Sequence, residues 1–342
     1  MIYRSRAPLR IGLAGGGTDV SPYCDLYGGA ILNASISLYA YAHLELTGDD
    51  QIILQAKDRG EEQIIPFQEQ LTIDGTLDLH KGVYNRLQKD HGWPYRGFRL
   101  TTYSDAPAGS GLGTSSTMMV AILGAFNELL KLPLGEYDIA HYAYEIERKD
   151  LQLAGGRQDQ YAATFGGVNF MEFYKDDQVI VNPLRIRQEY LDELENNLLL
   201  YYTDSSRDSA TIIREQQKNV TDKKEKSIEA MHQLKEQARM MKEILLKGKL
   251  DGLGEILDYG FEQKRKMADH ISNSRIEEIY THARERGATG GKISGAGGGG
   301  FMIFYCPGIT RYAVIKALES FGGTCRPYHF TQIGLTSWTA GK

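Results

Sequence analysis

Residues 107–116 read PAGSGLGTSS, a composition suited to holding an anion. Gly109, Gly111 and Gly113 let the backbone turn sharply and come close to a ligand. The apolar-rich stretch from Thr114 onward predicts a helix, and its first turn offers unpaired N–H groups and the positive end of the dipole. Thr114, Ser115, Ser116 and Thr117 add four hydroxyls at the same place. An ordinary helix cap uses one hydroxyl, so three glycines with four hydroxyls favour phosphate binding. The stretch lacks the lysine of the G-x-x-x-x-G-K-[ST] loop, which reaches the outer phosphates. Its positive charge must come from elsewhere in the chain.

Two more glycine loops lie far from the first. APLRIGLAGGGTD does not fit G-x-G-x-x-G, and Ser21-Pro22 follows it without a clear helix. A tight turn there presents Thr18 and Asp19, and Asp19 either grips a polyol or caps the next element. KISGAGGGGFMI places Gly295 and Gly297 to Gly300 between two strand-like runs. So much backbone freedom implies close contact with another loop or a ligand, or tight turn packing. Among the acids, Asp159 sits between Gln158 and Gln160 in AGGRQDQYAATFGG, as a surface carboxylate or a helix cap on local chemistry alone. Glu145 and Glu147 fall near the end of an amphipathic helix, where solvated charges are the ordinary outcome.

The elements that must position these residues are mixed. RIGLAG, GAILNASI and LYAYAHLELTG read as strands, and QIILQAK and EEQIIPF as a strand pair turning near Asp58 and Gly60. Helices are predicted over 78–90, from Ser116 to just before Pro133, and over 134–152, with strands at 97–104 and in GGVNFMEFY. ELENNLLLYYTD reads as a strand. From 221 to 249 an apolar stripe of Ile228, Met231, Leu234, Ala238, Met241, Ile244 and Leu245 predicts a packed surface helix. Two further helices, over 254–266 and 275–286, lead to the last glycine loop. The strands do not alternate strictly with helices, so the expected class is α+β, with two layers around a cleft rather than a doubly wound parallel sheet.

A chain of 342 residues favours two domains, divided here as 1–185 and 186–342. A net charge of −5 gives no general attraction to nucleic acid or to anionic membranes. No run of about 18 apolar residues predicts a membrane span. Cys24, Cys306 and Cys325 are widely spaced, as suits reduced thiols rather than a zinc site or a disulfide framework. The N-terminus has no apolar core of a secretory signal. A cytoplasmic location is therefore expected.

Taken together, Ala7-Pro8-Leu9-Arg10 through Thr18-Asp19, then Pro107 to Ser115, then Lys292 to Gly300 resemble the three motifs of the GHMP kinase superfamily, in the family's order and spacing. The resemblance implies an N-terminal domain of the ribosomal protein S5 second-domain type and a ferredoxin-like C-terminal domain. It implies ATP bound by Pro107, Gly109, Ser110, Gly111, Leu112, Gly113, Thr114, Ser115 and Ser116. It further implies Asp159 as catalytic base, with Mg²⁺ held by Ser115 and Glu147, Glu145 being the fallback ligand. Arg10 matches the basic residue beside the catalytic aspartate, where a fixed cation would lower the pKa of the attacking hydroxyl. Asp19, with Gly17 and Thr18, matches the sugar-binding part of the family. PLRIGLAGGGTDVSPYCDLYGGAILNASI and YYTDSSRDSATIIREQ further imply a heptose 7-phosphate as acceptor, phosphorylated on its anomeric hydroxyl to the 1,7-bisphosphate. For the acceptor's own phosphate, Arg207 and Arg157 are the leading cations, with Lys149 and Arg4 behind them. The competing expectations are a kinase of an unphosphorylated sugar such as fucose, and a sugar sensor without catalysis. The oligomeric state is left open.

Overall fold

The computed structural model describes residues 1–205 and 209–341. The chain begins with β1 (Ile2–Ala14), α1 (Tyr23–Tyr27), β2 (Gly29–Leu46), β3 (Gln51–Ala56), β4 (Glu61–Pro66), α2 (Asp78–His91), β5 (Phe98–Ser104) and α3 (Thr114–Leu130). Next, α4 (Glu136–Tyr144) runs into a π-helical turn at Glu145–Asp150, followed by α5 (Gln158–Phe165), β6 (Val168–Phe173) and β7 (Val179–Pro183). The second half holds α6 (Gln188–Asn197), β8 (Leu198–Tyr202), α7 (Ser209–Thr221), α8 (Glu225–Lys247), α9 (Leu253–Arg265) and α10 (Ser274–Glu285). It ends with β9 (Gly290–Ile293), β10 (Phe301–Tyr305), α11 (Arg311–Leu318), β11 (Thr324–Cys325) and β12 (Thr336–Ala340).

Among the described residues these strands form two sheets, and the α+β class holds. The larger has the order β12-β1-β2-β5-β3-β4, with β6 and β7 attached to β2; the smaller runs β11-β8-β10-β9. β2 can serve two neighbours because it is long: Gly29 to Ala34 pair with β6, and Ala40 to Leu46 pair with β5. The register of β1 against β2 shifts between Pro8 and Arg10. Such irregularities re-aim side chains, and here the residue just beyond it is Arg10. The division at 185/186 falls between β7 and α6, and β12 crosses back over it to pair antiparallel with β1.

The apolar residues fall where these layers meet. Trp93, Phe98 and Phe126 pack edge-to-face under α3, with ring centroids 5.2–5.6 Å apart. A second cluster joins the sheets: Leu9, Ile11 and Leu13 of β1 share it with Leu198 and Leu200 of β8, Ile303 of β10, and Ala238 and Met241 of α8. The stripe expected on α8 is the face that makes this contact and its neighbour; Met231, Leu234 and Leu245 are also buried. No helix among the described residues is long and apolar enough to cross a membrane.

Three local expectations are corrected. The helix expected over 134–152 changes winding at Glu145, and the π-helical turn leaves Glu147 only 1% exposed. Residues 193–197, expected in a strand, belong to α6, because Leu191 and Leu194 bury one helical face at i,i+3 spacing. A five-residue helix, α1, follows the first glycine loop, anchored by the buried Tyr23 and Cys24.

The second and third glycine loops dock backbone to backbone. The Phe301 amide donates to the Ser110 carbonyl at 2.8 Å, and the Ser294 hydroxyl donates to the Gly111 carbonyl at 2.7 Å. At Gly300, φ is +87° and an added Cβ would lie 2.3 Å from the Ser110 carbonyl oxygen. Gly300→Ala therefore combines backbone strain with a clash against backbone. It is expected to destabilise the protein by about 1–3 kcal/mol, read as a lower urea midpoint. An unchanged midpoint would show that the loop contact is slack.

Candidate active site

The docked loops form one wall of a cleft of about 290 Å³ between the two layers. Gly113 is the N-cap of α3, with φ +78° and no side-chain cap bond. The hydroxyls after it are thus not spent on capping, and the first-turn amides keep their donor capacity. Gly109, Gly111, Gly113, Thr114, Ser115 and Ser116 line the cleft. Pro107, Ser110 and Leu112 stand behind it as framework. The Pro107 carbonyl accepts from the Ser110 amide and the Thr114 hydroxyl, and Leu112 is buried in the cluster that joins the sheets.

Arg10 and Asp159 meet across the cleft floor. The Arg10 guanidinium, 3% exposed, donates through Nε to Asp159 Oδ1 at 2.7 Å, and its second nitrogen reaches the same oxygen at 2.7 Å. Its remaining nitrogen donates to the Gly111 carbonyl at 2.6 Å. Asp159 lies in the first turn of α5. That helix is in turn held by Asp19, whose Oδ2 accepts from the amides of Arg157 at 2.8 Å and Gln158 at 3.0 Å. Asp19 thus lines the cleft, and the helix it caps is the remote α5 rather than the next element, α1, which has no side-chain cap bond. Burial pushes its carboxyl up, the two amides pull it down, and nearby Asp159 raises it further.

Ser115 and Glu147 also come together, the hydroxyl donating to Glu147 Oε1 at 3.0 Å. The other carboxylate oxygen accepts from Gln160 Nε2 at 2.6 Å, and Arg148 lies 3.3 Å from Oε1. Glu145 points elsewhere, pairing with Arg86 at 2.8 Å and Lys149 at 3.1 Å. A hydroxyl and a carboxylate side by side are hard oxygen donors of the kind Mg²⁺ takes, and that ion draws its other ligands from phosphate and water.

The remaining expected residues scatter. Gly17 lines the cleft. Thr18 is fully buried and spends its hydroxyl inside its own loop, donating to Gly15 and Ala30 carbonyls and accepting from the Ala30 amide. Arg157 turns toward Asp25 at 2.8 Å and Asp177 at 3.1 Å. Lys149 is bound to Glu145 and Asp177, and Arg4 lies on β1 where it pairs with β12. Arg207 lies outside the described residues.

The sequence reading missed two buried lysines. Lys264, on α9, lines the cleft and donates to the Gly295 carbonyl. Lys292, the first residue of the third motif, donates to the Gly12 carbonyl at 2.8 Å. Neither has a carboxylate within ion-pair distance among the described residues. Burial first, and then Arg10, lower the Lys264 ammonium to about 8, with Asp19 opposing. Lys292 is driven well below its ordinary value by burial and by Lys264 and Arg10. Lys264 stands in the run EQKRKM, which by pattern is a solvated helix face; only Lys292 carried a signal, its place in the motif.

A docked glycine-loop pair, a bare helix N-terminus and an Arg–Asp pair facing it define a phosphoryl-transfer cleft, and the chain belongs to the GHMP kinase family. The family's N-terminal domain matches residues 78–167 and its C-terminal domain residues 240–323. The chain is 48% identical over 335 residues to D-glycero-alpha-D-manno-heptose 7-phosphate kinase of Campylobacter jejuni, covering 98% of each. It superposes with a TM-score of 0.85 and 45% identity on a crystal structure described as a D-glycero-D-manno-heptose 1-phosphate kinase from Bacteroides thetaiotaomicron, over 99% of this chain and 100% of that one. Galactokinase of Lactococcus lactis shares the fold at 18% identity, with a TM-score of 0.76 over 98% of this chain and 95% of that one. The protein is a kinase, with ATP as the phosphoryl donor that the family implies.

Lys264 gives the site a measurable pH signature. Its folded value is about 8 against an ordinary 10.5. Below about 8 the folded chain bears the cost of a desolvated cation. Between about 8 and 10.5 only the unfolded chain is protonated there, so this group makes stability rise with pH across that window. Removing the ammonium relieves a cost present at neutral pH and absent above 10.5. Lys264→Met is therefore expected to gain more stability over the parent at pH 7 than at pH 10.5 in denaturant titrations. Equal differences at both pH values would show that Lys264 titrates normally.

Proposed function

We propose that the enzyme transfers the terminal phosphoryl group of ATP to the anomeric hydroxyl of D-glycero-D-manno-heptose 7-phosphate, giving the 1,7-bisphosphate. The observation that carries this reading is the 48% identity, over 98% of both chains, to a heptose 7-phosphate kinase. The two heptose-kinase relatives are named for different positions, 7 and 1. Phosphorylation at C1 of a 7-phosphate accommodates both, since the product carries both groups. The reading places the enzyme in the cytoplasm, where ATP is available.

In this mechanism the amides of the 109–113 loop and the first turn of α3 receive the ATP phosphates. Ser115 and Glu147 would hold Mg²⁺, with Gln160 fixing the carboxylate. When bound, that ion supplies charge neutralisation on the β- and γ-phosphate oxygens. Asp19, Gly17 and the cleft-lining Gln158 face the sugar. Asp159 orients the C1 hydroxyl and takes its proton as the oxygen attacks the γ-phosphorus; the bond to the β-phosphate oxygen breaks and ADP leaves. Arg10, bonded to both Asp159 and Gly111, stabilises the negative charge that builds between base and phosphate. Positioning and electrostatics supply most of the acceleration in such transfers.

D159N keeps the shape of the site and removes the base. It is expected to lower kcat for ADP release with heptose 7-phosphate by at least about 100-fold, while the Kd for ATP stays within about threefold. A D159N enzyme with parental turnover would refute the assignment of the base.

A further inference from the structure

The main cleft adjoins a second chamber of about 270 Å³, which shares Asp19, Arg148 and residues 153–155 as walls. One helix serves both spaces. Ser209, Ile213 and Gln216 of α7 line the cleft at i, i+4 and i+7, while Arg214 and Gln217, one position on, line the chamber. Three arginines, Arg148, Arg157 and Arg214, are among its lining residues. Asp19 is the only acid lining the chamber among the described residues, and one of its oxygens is committed to the amides of Arg157 and Gln158.

The donors differ in how far they are already spent. Arg148 is tied to the carbonyls of Leu153, Ala154 and Gly156, to Ser116 and to Glu147. Arg157 is 4% exposed; it donates to the Tyr174 carbonyl and Ser21 hydroxyl, and Asp25 and Asp177 offset its charge. Its Nε is nevertheless buried without an acceptor. Arg214 is exposed and forms no ion pair or hydrogen bond among the described residues, so its charge is not neutralised. Planar guanidinium forks match phosphate oxygens geometrically, whereas a neutral sugar has no need of this much positive charge.

We propose that this chamber binds the phosphate already present on the acceptor sugar, with Arg214 supplying the uncompensated charge. The proposal rests on the sugar-phosphate reading above and adds the place where that phosphate is recognised. It makes α7 the specificity element: one face of the helix looks at the sugar and the adjoining face at the phosphate. Arg157, which lines the chamber, also donates its amide to Asp19, so the chamber wall is part of the scaffold that positions Asp159.

The test compares kcat/KM for heptose 7-phosphate with kcat/KM for the unphosphorylated heptose in the parent, R214A, R214K and R214E. Arg214 is exposed, so these substitutions remove little packing. The parent is expected to prefer the phosphorylated sugar. R214A should cut that preference at least tenfold, mainly through KM for the sugar phosphate; R214E should cut it further, and R214K should keep part of it. If the parent shows the preference while R214A and R214E retain it within twofold, the chamber is overturned and the acceptor reading stands. A parent with no preference for the phosphorylated sugar overturns the acceptor reading and the chamber with it.

Discussion

The Arg10 guanidinium is the point at which three separate parts of the chain are joined. It comes from β1 just past a register shift, grips Asp159 at the start of α5, and reaches the Gly111 carbonyl in the phosphate loop. Asp159, Arg10 and the 107–116 loop can therefore keep their relative geometry only while β1, α5 and the loop stay in place. Much of the remaining architecture serves that condition. Asp19 caps α5 from a loop some 140 positions earlier in the chain, β12 closes the outer edge of β1, and the seam between the sheets fixes β1 from its apolar side.

The charge balance of the cleft follows from the same packing. The glycine loop at 107–116 carries no lysine, and the basic side chains that line the cleft come from other elements: Arg10 on β1, Arg148 in the π-helical turn and Lys264 on α9. Arg10 and Arg148 have carboxylate partners, Asp159 and Glu147, whereas Lys264 and the buried Lys292 have none among the described residues. The two lysines bond to the carbonyls of the third and first glycine loops. Burying an ammonium without an acid is costly, and burial accordingly pushes both lysines below their ordinary value. Under the proposed function, phosphate would be held by backbone amides, a helix dipole and side chains from several elements rather than by one loop residue.

How much of this was legible in the sequence depended on whether a role was local. Three glycine motifs in order gave the family, and the pairs Ser115–Glu147 and Arg10–Asp159 followed from matching positions to it. The docking of the second and third loops was foreshadowed by the excess of glycine, since only close backbone approach requires so many. Roles created by distant packing were not visible. Lys264 sits in a charge run indistinguishable from a solvated face, and it is buried because α9 lies against the loops. Thr18, beside Asp19 in the motif, looked like a ligand but completes a hydrogen-bonded turn. The inward position of Glu147 depends on the π-helical turn, which residue spacing based on 3.6 per turn does not anticipate. Likewise the pairing of β12 with β1 joins the two ends of the chain and leaves no local trace.

The most direct test of the account is ³¹P NMR of the product formed from ATP and D-glycero-D-manno-heptose 7-phosphate. The predicted spectrum contains the original phosphomonoester at position 7 and one new phosphate coupled to the anomeric proton, appearing with ADP in equal amounts. A new phosphate on any other carbon, or ADP release without a second sugar-bound phosphate, would contradict it.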